Sequence, residues 1–391
     1  MREGWELKKI GECFSYIKNG ANIKQTKGAR GYPITRIETL SGGVFNRDKL
    51  GYADVVNLEQ YKDYILESGD LLVSHINSKT YIGRTVVYEG MQGEKIIHGM
   101  NLLRLKHNMS LINSAFFCYY TQSVSFKLDI MRIRKDAVNQ SSFTISDFKK
   151  IRIPVPVLAT QLSIVSELDK INELIRIKKE QLKDYDILAQ CIFYEMFGDP
   201  VENEKGWEVK KIGDVCKTSS GGTPSKAHDE YYNGDILWLR SGEVGQGDIY
   251  DTEQTITLLG LENSSAKIFP VNTVVIAMYG ATVGQVGILR KEMSTNQAIC
   301  GILPNGVLTP EYLNYFLLRM KSDFLKLAIG GAQANISQQI IRKTLIPLPP
   351  LSLQKYFTCR IRQIKQQKAA IQKTITDLET LLAARMQYWF D

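Results

Sequence analysis

Two stripes of apolar residues, each advancing by alternating steps of three and four, dominate the hydrophobic pattern of this chain. The first passes through Leu168, Ile171, Ile175, Lys178, Leu182, Tyr185, Ala189, Ile192 and Met196. The second passes through Ile361, Ile364, Lys368, Ile371, Ile375, Leu378, Leu382, Arg385 and Trp389, and one constant interval relates every position to its counterpart. A stripe kept up over about four heptads predicts a long helix with a seam for a second helix. One such stripe alone would suit a helix lying on its own domain's core. Two in identical register predict that the helices pack on each other as an antiparallel coiled coil with pseudo-twofold symmetry. Lys178, Lys368 and Arg385 depart from the apolar seam; long basic stems can lie along it with their heads in water, as register marks or end positions.

Prolines mark where each helix begins. Pro154 and Pro156, then Pro347, Pro349 and Pro350, suit an extended entry segment and not a helix interior. Thr160 and Ser352 are the predicted N-caps. Gly198-Asp199-Pro200 is a stop signal for the first helix. From Ser166 to Phe197 the helix would span roughly 48 Å.

The chain also repeats itself. Gly4-Trp5-Glu6-Leu7-Lys8-Lys9-Ile10-Gly11-Glu12 returns as Gly206-Trp207-Glu208-Val209-Lys210-Lys211-Ile212-Gly213-Asp214. Ile153-Pro154-Val155-Pro156 returns as Ile346-Pro347-Leu348-Pro349, and Gln161 returns as Gln354. Fainter matches join Ile82-Gly83 to Val283-Gly284 and Ile145-Ser146 to Ile336-Ser337. So two units share their ends and differ in their middles, which means a duplicated domain. Within each, residues 70–74, 236–239 and 272–277 predict buried strands. Residues 114–130 and 310–329 predict helices whose aromatic rows (Phe116, Phe117, Tyr120; Tyr312, Tyr315, Phe316) belong to a core. The expected fold is α+β: a globular domain over 1–157, a helix over 158–199, a second domain over 200–350 and a second helix over 351–391.

Composition changes this picture little. The 391 residues carry 49 Lys+Arg against 41 Asp+Glu, and the surplus of +8 fits a polyanionic partner only weakly. The six cysteines (Cys13, Cys118, Cys191, Cys216, Cys300, Cys359) are scattered, which argues against a zinc site or a disulfide framework and for reduced thiols in a cytoplasmic protein. No secretory leader is evident at the first residues, and no apolar run is long enough to cross a membrane.

Catalytic motifs are lacking. There is no phosphate-binding loop of the G-x-x-x-x-G-K-[ST] kind, no dinucleotide fingerprint, and no Asn-Pro-Pro-aromatic run of amino-methyltransferases. Glu6-Leu7-Lys8 and Glu208-Val209-Lys210 have a nuclease-like spacing but suit solvated edge strands. His75, His98, His107 and His228 form no metal-binding or triad spacing. No catalytic or metal-ligating residue is expected.

Two arms of different sequence, each closed by an Ile-Pro-x-Pro segment, a glutamine and a coiled-coil helix, resemble the specificity subunits of type I restriction-modification enzymes. Gly221-Gly222-Thr223-Pro224-Ser225, Ile346-Pro-Leu-Pro-Pro-Leu351 with Gln354, and Tyr194-Glu-Met-Phe-Gly-Asp199 carry the resemblance most specifically. The first arm departs from it, with Asn19-Gly20-Ala21-Asn22 in place of the Gly-Gly-Thr-Pro turn. The resemblance implies that each arm is a target recognition domain for one half of an interrupted site in double-stranded DNA. It further implies that the helices space the arms and dock two modification subunits, and that restriction (translocase) subunits join them. S-adenosylmethionine, ATP and Mg would be bound by those partners, and this chain would bind none of them. A helix of that length sets half-sites roughly 10–14 base pairs apart. Two alternatives stay open: a specificity subunit serving a fused methyltransferase-nuclease, and a non-catalytic coiled-coil scaffold.

Loops rich in Arg, Lys, Asn and Gln supply the candidate DNA contacts, since these side chains pair with base edges or phosphates. In the first arm they are Asn22, Lys24, Arg30, Arg36, Asn77, Lys79, Arg84, Asn139 and Gln140. In the second they are Ser225, Lys226, Trp238, Arg240, Tyr279, Thr282, Gln285, Gln333 and Asn335.

Overall fold

A computed structural model of the chain describes residues 3–26, 31–55, 57–108, 110–138, 140–245, 247–328 and 335–391. The fold is α+β, and its contacts divide it into two compact units: residues 1–178 with 374–391, and residues 179–373. These units cut across the boundaries expected from sequence, because each long helix contributes to both.

The sequence anchors at the two ends of each arm turn out to be the two strands of one antiparallel pair. Glu6–Lys9 pairs with Arg152–Val155, with Lys8 opposite Ile153. Val209–Lys211 pairs with Leu345–Pro347, with Lys210 opposite Ile346. Both strands are short and two-stranded, so the prolines leave no ladder bond unmade on a further neighbour. Glu6 and Lys8 form an ion pair at 2.7 Å, as do Glu208 and Lys210 at 3.0 Å, as expected of solvated edge strands.

In the first unit the central sheet is antiparallel, in the order Phe14–Asn19, Leu102–His107, Leu71–Ser74, Thr85–Val87. In the second unit it runs Thr218–Ser220, Ile299–Ile302, Val274–Ala277, Val286–Leu289, Gly247–Ile249, with the last pair parallel. Leu71–Ser74 and Val274–Ala277 are buried throughout, as their apolar runs predict. The helices beside them carry the aromatic rows inward: Phe116, Phe117 and Tyr120 in one unit, Tyr312 and Phe316 in the other. The predicted helix over 114–130 is in fact two, Ser114–Tyr120 and Val124–Ile133; Ser123 caps the second by accepting from the Phe126 N–H.

The long helices are Leu158–Phe197 and Leu351–Phe390. They begin ahead of Thr160 and Ser352, which therefore lie inside the first turn and are not the caps. The first helical N–H groups bond instead to the carbonyls of Val157 and Pro350. What ties each start down is a buried glutamine one turn in. Gln161 donates to the carbonyls of Leu111 and Pro156 at 2.9 and 2.8 Å and accepts from the Asn113 N–H at 2.8 Å. Gln354 repeats this wiring with Val307, Pro349 and Thr309 at 3.1, 2.9 and 2.8 Å.

Within each unit the helices meet antiparallel along the expected seam. In the first, Leu168, Ile171, Ile175 and Ile375 are buried, while Leu378 and Leu382 are half-buried. Phe390 packs on Phe116 at 5.5 Å between ring centres. In the second, Ala189, Ile192, Ile361 and Ile364 are buried; Leu182, Tyr185 and Ile371 are half-buried. Phe197 packs on Tyr312 at 4.8 Å. Two seam cations are paired and do not simply snorkel: Lys368 with Asp186, and Arg385 with Glu167, which also accepts from the Trp389 indole at 3.2 Å. All six cysteines are free; Cys191 and Cys359 are exposed. Among the described residues no group of side chains could hold a metal ion, and no helix is long and apolar enough to cross a membrane.

Candidate nucleic-acid interface

Each arm exposes a polar face built on the same backbone frame. In the second arm the Gly221-Gly222 turn lies flat against the segment leading into Ile299–Ile302. Gly222 N–H donates to the Thr295 carbonyl at 2.9 Å, and Gly221 N–H to Ile299 at 3.3 Å. A Cβ on Gly221 would collide with the Thr295 and Asn296 carbonyls, and one on Gly222 with the backbone at Ser265–Ala266. Only glycine permits this approach. In the first arm the Ala21 N–H donates to the His98 carbonyl at 2.7 Å, and a Cβ on Gly20 would collide with the backbone of His98 and Gly99. The Asn19-Gly20-Ala21-Asn22 segment is thus the counterpart of the Gly-Gly-Thr-Pro turn despite its different sequence.

A second shared feature adjoins the first. Beyond each buried central strand the chain meets the segment preceding a short helix. Phe143 N–H donates to His75 O at 3.2 Å, and Ser142 lies opposite Ile76. Ile336 N–H donates to Met278 O at 2.9 Å, and Asn335 lies opposite Tyr279. Thr144 and Ser337 cap the helices that follow, accepting from Asp147 and Ile340. The structural equivalents of Ile336-Ser337 are therefore Phe143-Thr144, and the sequence match to Ile145-Ser146 was out of register. The match of Ile82-Gly83 to Val283-Gly284 holds: Gly83 and Gly284 both have positive φ and donate to Ser74 and Ala277.

The structure brings together part of the sequence-derived set. Asn77, Lys79 and Gln140 adjoin a small sheet of Ile76–Asn77, Lys135–Asp136 and Ser141–Ser142, with Lys79 paired to Asp136 at 3.1 Å. The Ser141 hydroxyl and Lys79 hold the Asp136 carboxyl below its ordinary pKa. Lys79 and Arg84 also line an open cleft of about 1780 Å³ in the first unit. It is wider than the roughly 300–1,000 Å³ of a small-molecule site. Arg84 stacks over Tyr81 at 4.5 Å and donates to the Leu40 carbonyl at 3.2 Å. Asn22, Lys24 and Arg36 are exposed, with Arg36 lying beside Gly51. In the second arm Tyr279, Thr282 and Gln285 share one turn, where Thr282 donates to the Tyr279 carbonyl at 3.2 Å, and Asn335 lies opposite Tyr279. Ser225 and Lys226 are exposed just past the glycine turn. Arg30, Asn139 and Gln333 lie outside the described residues.

One selection needs correction. Trp238 is only 3% exposed, and its indole N–H donates to the Gly222 carbonyl at 3.0 Å, so it locks the glycine turn from beneath and does not reach a ligand. Arg240, by contrast, is partly exposed and pairs with Glu243 at 2.9 Å and with Glu253, and its hydrogen bond to Glu243 raises its pKa further. Sequence reasoning also passed over two exposed residues on the shared frame, Met100 and Gln297. The available signal was the polar run Ser294-Thr295-Asn296-Gln297 between two apolar strands.

Residues 2–184 and 204–380 both match the model of the type I restriction modification DNA specificity domain. The chain belongs to this family. Both specificity domains are therefore copies of one unit, as the repeat implied. Among curated relatives, the "Putative type I restriction enzyme MjaX specificity subunit" of Methanocaldococcus jannaschii is 29% identical over 97% of this chain and 93% of its own. The EcoR124I/EcoR124II specificity subunit of Escherichia coli is 26% identical over 60% of this chain and 59% of its own. A solved chain from work on assembly and conformational transition of the type I R-M system covers 100% of this chain and 98% of its own, with TM-score 0.65 at 18% identity. At that identity the likeness shows that the two chains share a fold.

Proposed function

We propose that this chain is the specificity subunit of a type I restriction-modification complex, and that it reads an interrupted two-part site in double-stranded DNA, one half per arm. The observation that carries this reading is the pairing of a constant frame with variable side chains. At equivalent positions of the frame the first arm has Asn22 and Met100, both exposed, and the second has half-buried Thr223 and exposed Gln297. Duplicated scaffolds that differ at their exposed polar positions suit two different base sequences. The curated relatives are named as specificity subunits, which supports a reader that has no chemistry of its own. Methyl transfer and cleavage then belong to two modification subunits and to restriction subunits, which would hold S-adenosylmethionine, ATP and Mg.

The test is a genome-wide map of N6-methyladenine in cells expressing this chain with its modification subunit, against cells expressing the modification subunit alone. A two-part interrupted motif that appears only with this chain is the expected outcome. No new motif, with both proteins soluble and associated, would overturn the reading.

A further inference from the structure

We infer that Gln297, oriented by Thr223, is a specificity-determining residue that reads an adenine in the half-site of the second arm. This rests on the DNA-reading role proposed above. Gln297 is exposed at the rim of the glycine turn, and the Thr223 hydroxyl donates to its Oε1. Both side chains stand on backbone that cannot shift easily. Gly221 and Gly222 pack against residues 295–296 and 265–266 too closely for any side chain, and Trp238 holds the Gly222 carbonyl from below. A glutamine on an ordinary loop would have to be ordered on binding; this one is held in place beforehand.

The chemistry left over suits one base. A carboxamide oxygen has two lone pairs and its nitrogen two protons. Thr223 occupies one lone pair of Oε1, leaving the other lone pair and both N–H donors free. That is a donor beside an acceptor, complementary to N7 and N6–H of adenine in the major groove. The surroundings sort in the same way. Tyr279, at the neighbouring turn, and Thr223 itself are neutral hydrogen-bonding groups, while Lys226 lies further along the same loop, where a phosphate contact would position the duplex. In the first arm the frame places Met100 at the position of Gln297, as the bonds Ala21 N–His98 O and Gly222 N–Thr295 O establish. Methionine offers no such donor–acceptor pair, so the first arm reads its half-site differently at this position.

The experiment uses the complex of this chain with its modification subunits, a duplex carrying the mapped motif, and a panel in which each base pair is changed in turn. Gln297→Ala and Gln297→Met are compared with the unaltered chain. The expected result is a loss of preference for adenine at one position of one half-site, by about five- to a hundredfold, with the other half-site and the salt dependence unchanged. Thr223→Val weakens the same position by less, because it frees the amide without removing it. A uniform loss across the panel would assign Gln297 a sequence-independent role and overturn the inference. So would an unchanged motif in both Gln297 variants, Gln297→Met serving where Gln297→Ala fails to assemble. Should the unaltered complex show no sequence preference, it is the DNA-reading role itself that fails.

Discussion

Single residues decide how each arm is fastened to its helix. Gln161 and Gln354 are buried, and each joins three backbone groups from two separate segments. Replacing one by alanine leaves buried carbonyls and an N–H without partners, each costing about 1–3 kcal/mol. Gln161→Ala or Gln354→Ala should lower stability by about 2–5 kcal/mol in denaturant titration. A loss under 1 kcal/mol would mean that water replaces the amide. Buried histidines make a second residue-scale device, confined to the first arm. His75 and His98 lie in the core, His98 near Arg104 of the buried Asp70–Arg104 pair, which meets at 2.6 Å. Burial pulls their pKa values from 6.5 down to about 4 and about 3. Folding therefore excludes protons that the unfolded chain binds. Their contribution is complete above pH 6.5 and is lost as the pH falls to about 4 for His75 and about 3 for His98, by about 3 kcal/mol for His75 alone. In the second arm Met278 takes the place of His75. Hydrogen exchange should thus show Leu102–His107 losing protection between pH 7 and pH 5 while Ile299–Ile302 does not, and His75→Met should reduce the difference. Equal loss in both strands would refute this account.

At the scale of elements, the sequence made the long helices plain because their alternating steps of three and four continue through many turns despite Lys178, Lys368 and Arg385. Their first turns were misplaced for a physical reason. Sequence rules look for a hydroxyl or carboxamide at the cap itself, whereas here the fastening comes from Gln161 and Gln354 inside the helix. The central strands were legible as apolar runs. Many of the other strands are two or three residues long, too short for any periodicity to register. The seam separates packing from charge in a testable way. Ile375 is 1% exposed between the two helices, so Ile375→Ala should cost about 2–5 kcal/mol. Lys368 and Asp186 form a partly exposed ion pair, and Lys368→Met should change stability by less than about 1 kcal/mol. Thermal melts of both variants decide whether the seam is held by apolar burial; a larger effect at Lys368 would say that it is not.

For the whole molecule, duplication was the most legible property, since its anchors are the structural ends of each arm. The interface was only half legible. Exposed loop residues leave no periodic trace, and a glycine turn can be rebuilt from a different sequence, as Asn19-Gly20-Ala21-Asn22 shows. Trp238 was misread because an aromatic residue beside a polar loop looks the same in sequence whether it faces out or in. The helices offer the most direct test of the two-part reading. Both pass from one compact unit to the other, near Lys178–Lys179 in the first and Lys373–Thr374 in the second. Inserting one heptad into each at those points keeps the seam in phase, because the seam itself repeats every seven residues. The insert adds about 10 Å of helix. At about 3.4 Å per base pair, the gap between the half-sites should widen by about three base pairs. Neither half-site should change, since no residue of either polar face is touched. Methylation mapping of the lengthened chain with its modification subunits reads both quantities at once. A wider gap with intact halves would mean that the helices measure the spacing and the arms the sequence. Altered half-sites would mean that the arms and helices act as one reading surface, and the division of labour proposed here would fall.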